Sequence, residues 1–115
     1  MSKPVGPYTP IVRAGEWLIT SGQIGIADGV LAEGFEPQLR QAMANLEGLL
    51  ISHGSTLGEV TKTTVFLTDM SVYAEMNAVY TELFGDHRPA RSAVAVAALP
   101  LGALVEIEAV AYLGS

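Results

Sequence analysis

The chain has 115 residues, half of them hydrophobic and 16% charged, with a formal net charge of −6 and no cysteine. That length predicts one domain over residues 1–115 with one sizeable core, and the missing cysteine excludes disulfides, thiol nucleophiles and thiolate zinc sites. The basic residues stand singly, so no basic stripe is available to neutralise phosphates and nucleic acid is not an expected partner.

Residues 1–9 are turn-rich, with Pro4, Gly6 and Pro7. MSKPVGPY contains no apolar h-region, and no apolar run approaches the length of a membrane span; a soluble, cytoplasmic protein is expected. Ile11–Ala14 and Trp17–Ser21 read as a β-hairpin around Gly15-Glu16. Gly22 to Gly34 reads as a glycine-rich loop, with room for a short strand at Ile24–Ile26 or Val30–Leu31. From about Glu36 to His53, Leu39, Ala42, Met43, Leu46 and Leu50 follow the spacing of one apolar helical face, and Gly54 suits the position just beyond its end. Val60–Leu67, rich in β-branched and aromatic residues, reads as a strand. A second helix is predicted over about Val72 to Phe84, with Tyr73, Met76, Tyr80, Leu83 and Phe84 on its apolar face. Ser71 or Asp69 is placed to cap it, and Gly85 ends it.

The segment from Pro89 to Ala111 reads as a second hairpin with its connection at Leu99–Gly102. The element order is then β-β-α-β-α-β-β, an α+β sandwich with two helices on one face of a mixed sheet. Three charges inside these apolar strands stand out, because an unpaired buried charge is costly. Side chains alternate across a strand. In the first strand Ser92, Val94, Val96 and Ala98 share one side, and Arg91, Ala93, Ala95 and Ala97 the other. In the second, Val105, Ile107, Ala109 and Ala111 oppose Leu104, Glu106, Glu108, Val110 and Tyr112. Turning the larger apolar sets toward the helices puts Arg91, Glu106 and Glu108 together on the open side. There they are either solvated surface charges or the lining of a site. An alanine-floored open side, with charged content well below the usual quarter or so, predicts a homo-oligomer in which a neighbouring copy covers this side.

Other polar residues have plainer readings. Ser21-Gly22-Gln23 is an ordinary loop start or a turn whose backbone N–H groups bind an anion. His53 suits a helix C-terminus, and His87 suits a loop. Tyr8 reads as packed with its hydroxyl outward, and Asn77 as bonded beside the apolar stripe of the second helix.

Several short motifs stand in one order along nearly the whole chain: Gly6-Pro7-Tyr8, Ser21-Gly22-Gln23-Ile24, Gln38, Asn45-Leu46, VFLTDM at 65–70, Asn77 with Tyr80, Pro89-Ala90-Arg91-Ser92, Leu99-Pro100 and Val105 to Ala109. In these the chain resembles the reactive intermediate deaminase (RidA, YjgF) family. The resemblance implies a chorismate-mutase-like fold and a homotrimer with sites in the clefts between subunits. It implies hydrolysis of 2-imino acids and their enamine tautomers, released by pyridoxal-phosphate enzymes, to 2-oxo acids and ammonia, with no cofactor and no metal. It assigns Arg91 to the substrate carboxylate, whose two oxygens a guanidinium can bind together. It assigns Glu106 to water activation or proton relay, with Tyr8, Ser21, Gly22, Asn77 and Ala93 lining the pocket and Glu108 structural. Ala93 stands where relatives often carry cysteine, and the loop between Gln23 and Gln38 is shorter than is usual there. Two other readings remain: a non-catalytic module that binds a small carboxylate such as a 2-oxo acid, and an endoribonuclease or translation inhibitor, against which the acidic balance speaks.

Overall fold

The computed structural model describes residues 6–114; Pro4 of the expected turn-rich start lies outside them. The main sheet runs in the order β1 (Ile11–Ala14), β2 (Trp17–Thr20), β8 (Val105–Tyr112), β6 (Val60–Leu67) and β7 (Ala90–Ala95). A two-residue strand, β3 (Gln23–Ile24), continues β2 along the same edge of β8, opposite Ile107 and Glu106. Two more short strands, β4 (Ile26–Ala27) and β5 (Val30–Leu31), form a small separate hairpin. The loop expected between Gly22 and Gly34 therefore holds strands at both of the places that had room for one.

Two helices, α1 (Phe35–Ser52) and α2 (Tyr73–Phe84), cover one face of the sheet. Leu39, Ala42, Met43, Leu46 and Leu50 are buried as the periodicity requires, and Leu49 widens the stripe. Pro37 in the first turn of α1 costs no intrahelical bond. At the other end Gly54 takes a φ of 80°, and the Gly54 and Ser55 N–H groups return to the Ile51 and Leu50 carbonyls. Asp69 accepts from the Ser71 N–H and caps the short turn Met70–Val72 that leads into α2. Beneath the helices lie Leu18, Val65, Leu67, Val105, Ile107, Ala109 and Ala111, all buried. Among the described residues no helix is long and apolar enough to cross a membrane.

The segment from Pro89 to Ala111 is not a hairpin. β7 pairs in parallel with β6, β8 pairs antiparallel with β6 on its other side, and β6 separates them. Residues 96–104 carry the chain across, with a short turn at Pro100–Gly102. A parallel neighbour requires a crossover, and α2 supplies the one between β6 and β7.

The faces of β7 are also the reverse of the expectation. Arg91 and Ala93 lie opposite Thr63 and Val65, which are buried under the helices, whereas Val94 is 44% exposed on the open side. The expectation ranked the two faces by apolar size. That ranking fails where the open face is itself apolar: Val12, Trp17, Ile19 and Val94 are all exposed there. For β8 the expectation holds, and Glu106 and Glu108 are on the open side.

The loop after β2 is tied to α1. Asn45 Nδ2 donates to the Ile24 and Ile26 carbonyls at 3.1 and 2.9 Å, and buried Gln38 accepts from the Leu104 N–H at 2.8 Å. Gly25 passes so close to α1 that a Cβ would lie 2.4 Å from the Gln38 carbonyl oxygen. Gly25→Ala is expected to cost about 1–3 kcal/mol, read from urea unfolding midpoints; an unchanged midpoint would mean that this contact is slack.

Candidate active site

Site residues inferred from the sequence fall into two groups on opposite faces of the sheet. The first is built on the loop after β2 and on β8. Ser21 Oγ donates to the Thr9 carbonyl at 2.7 Å and the Ser21 N–H to that of Pro10, which pins the segment carrying Tyr8 to the end of β2. The Ser21 hydroxyl is thus a structural tie. The strand breaks at Ser21-Gly22, and there the Ala109 N–H finds the Thr20 hydroxyl at 3.0 Å.

Gly22 lies against Glu106. A Cβ at Gly22 would stand 2.6 Å from both the carboxyl carbon and Oε2 of Glu106. Glycine here is a requirement of close approach, since any side chain would displace the carboxyl. Burial, and secondly the Glu108 carboxylate on the same face, push the Glu106 carboxyl above its ordinary range. Such a group holds or releases a proton nearer neutrality than a solvated glutamate does.

The second group is built on β7 and α2. Arg91 turns under the sheet and lies over the Tyr80 ring, its guanidinium carbon 4.9 Å from the centroid and 5.5 Å from that of Tyr73. Its Nη1 donates to the Met76 sulfur at 3.6 Å and its Nη2 to the Tyr73 hydroxyl at 3.0 Å. The Tyr80 hydroxyl bonds Thr63 at 2.7 Å, which fixes the ring beneath the guanidinium. Among the described residues Arg91 has no carboxylate partner, in contrast to Arg13 and Arg40. Asn77 follows Met76 on α2, and its side-chain oxygen is buried without a hydrogen-bond partner among the described residues. Ala93, two residues beyond Arg91, packs against the core. The sequence reading missed the cradle of Tyr73, Met76 and Tyr80, having placed all three in the apolar stripe of α2. A signal was present, because two members of that stripe carry polar tips.

Other candidates keep structural roles. The His87 ring nitrogen Nε2 bonds the Val60 carbonyl at 2.7 Å, and His53 sits at the C-terminal end of α1. Among the described residues no cluster of three His, Asp or Glu side chains is placed to hold a metal ion.

The two groups are far apart within one chain. The register sets Arg91 opposite Thr63 and Glu106 opposite Phe66, on the two sides of β6. Two strand spacings and three residues separate them by roughly 10 Å in each direction, with the sheet between their side chains.

By fold and site this is a two-helix α+β protein with an arginine that has no carboxylate partner among the described residues on one sheet face and a half-buried carboxyl on the other. Residues 1–113 match the family model described as Endoribonuclease L-PSP. A RutC family protein of Pyrococcus horikoshii is 45% identical over 113 residues, spanning 96% of this chain and 90% of that protein. The 2-iminobutanoate/2-iminopropanoate deaminase of Salmonella typhimurium is 41% identical over 112 residues, spanning 93% and 88%. The crystal structure of E. coli TdcF with bound serine is similar with a TM-score of 0.91 at 36% identity, covering 95% of this chain and 90% of that one. The chain belongs to the Endoribonuclease L-PSP family, which includes the YjgF and RidA proteins.

The raised Glu106 carboxyl has a consequence for stability. From the ordinary glutamate range up to the folded-state value, the unfolded chain releases a proton that the folded chain keeps. Stability therefore falls as pH rises through that window. Glu106→Gln removes this loss, so the variant is expected to match the parent at low pH and exceed it near neutrality. Thermal unfolding at a series of pH values checks the sign, and an equal pH dependence in both proteins would contradict it.

Proposed function

We propose that the protein hydrolyses 2-imino acids and their enamine tautomers to 2-oxo acids and ammonia, in sites assembled between copies of a homotrimer. The observation that supports this reading is the separation of Arg91 from Glu106. One small substrate cannot reach both within a chain, yet each is prepared for half of such a reaction. β7 is the edge strand of the sheet, and a neighbouring copy packed against the open face and past that edge would bring its own β8 and Gly22 loop round to the Arg91 cradle. It would also cover Val12, Trp17, Ile19 and Val94, which a monomer leaves exposed.

The chemistry follows from the two groups. Arg91 binds the carboxylate through its planar fork, already desolvated on one side by Tyr80. Water adds to the imine carbon while the nitrogen takes a proton, giving a carbinolamine. The carbon–nitrogen bond then breaks, ammonia departs and the hydroxyl becomes the 2-oxo carbonyl. Glu106, whose carboxyl burial pushes above the ordinary glutamate range, is suited to take the proton from water and return it to nitrogen. These steps are water addition and proton transfer, carried by side chains alone. The substrates are products that pyridoxal-phosphate dehydratases release. The relatives named as a 2-imino acid deaminase and as a structure with bound serine point to the same small amino-acid-derived class.

Added to a threonine dehydratase reaction with semicarbazide as trap, the protein is expected to speed appearance of 2-oxobutanoate. Arg91→Ala should abolish the acceleration with the trimer intact by sedimentation. Retained acceleration would remove Arg91 from the site. Binding of 2-oxobutanoate with no acceleration by the parent protein would favour the second reading, a small-carboxylate binding module, which the same arginine cradle supports.

A further inference from the structure

The Arg91 subsite contains a second donor that the family reading leaves out. Arginine has five N–H donors and accepts nothing, so in the 3.0 Å contact between Arg91 Nη2 and Tyr73 the phenol oxygen must be the acceptor. The phenol keeps its own proton, for which no acceptor stands among the described residues. Tyr80 differs, because its hydroxyl is engaged by Thr63 and it is buried, whereas Tyr73 is 39% exposed at the start of α2. Two of the five guanidinium donors go to Met76 and Tyr73, which leaves three for an incoming anion.

We infer that Tyr73 is a substrate-binding residue: its hydroxyl, oriented by Arg91, donates to the same carboxylate that Arg91 binds. The inference rests on the proposed role of Arg91. Accepting from a cation polarises the phenol and strengthens it as a donor. The anion is thus met by the guanidinium fork and by a hydroxyl at its edge. A phenylalanine at this position would keep the ring beside the guanidinium and lose only the donor.

The probe is pyruvate, a stable 2-oxo acid, titrated into the full-length protein, with imine hydrolysis measured in parallel. Tyr73→Phe is expected to weaken pyruvate binding about tenfold and to raise KM by a similar factor with kcat nearly unchanged. O-methyltyrosine at position 73, whose oxygen still accepts from Arg91 but carries no proton, separates donation from mere support of Arg91. If Tyr73 donates to the substrate, affinity falls in this variant as it does in Tyr73→Phe. If it serves only to accept from Arg91, affinity holds, which would overturn the inference. Unchanged binding in Tyr73→Phe, with binding lost in Arg91→Ala, would also overturn it while leaving the proposed role of Arg91 standing. A parent protein that neither binds pyruvate nor hydrolyses imines would remove both.

Discussion

Strand β6 is the constraint on which the rest of the structure depends. It pairs with β8 on one side and β7 on the other, and its register decides which residues of both neighbours face the helices. Because paired residues share a face, Thr63 and Val65 carry Arg91 and Ala93 under the sheet, while Thr64 and Phe66 carry Glu108 and Glu106 above it. A register shift between Val60 and Lys62 sets the phase. It allows both Val60 and Thr63 to be buried, although they are three residues apart. Buried Thr63 then meets the Tyr80 hydroxyl, and Tyr80 supports Arg91. One irregularity at the start of β6 thus lies upstream of the arginine cradle.

An arginine under a sheet without an acidic partner would ordinarily be expensive. The cost is lowered here by the faces of two tyrosines, a thioether and a phenol oxygen. Cation–π contacts contribute on the order of 0.5–2 kcal/mol depending on desolvation. None of these partners neutralises the charge. The guanidinium is fixed in place and remains an anion site, which is the property a carboxylate-binding residue needs. Arg40 shows the opposite arrangement: it is bound by Glu36 and Glu82 across α1 and α2, and its charge serves to join the helices.

The open face carries the Glu106 half of the proposed site. It carries Trp17 against Tyr112 with ring centroids 4.7 Å apart, and Val12 beside Ile19. It also carries Glu106, whose carboxyl is lodged against the Gly22 backbone. In the proposed trimer one contact surface would both bury the exposed apolar residues and deliver the carboxyl to an arginine on another chain. Stability of the assembly and completeness of the site would then rise together.

The sequence by itself determined the elements that obey local rules. Helical periodicity located α1 and α2, Gly54 and Gly85 marked their ends, and β-branched density located β6. Alternation placed Glu106 and Glu108 correctly, because β8 has one strongly apolar face whose burial leaves no choice. The motif set pointed to the family. Only the tertiary structure decided that β7 pairs with β6 instead of β8, since strand neighbours are chosen by long-range burial and the chain between them carries no record of it. Only the tertiary structure turned Arg91 toward the helices. Its stabilising partners lie on α2, 11–18 positions back along the chain, and no local pattern of β7 names them. Separation along the chain likewise hid the contact between Gly22 and Glu106 and the bond from Arg91 to Tyr73. Each joins elements far apart in sequence, and their meeting is set by how the helices and strands pack.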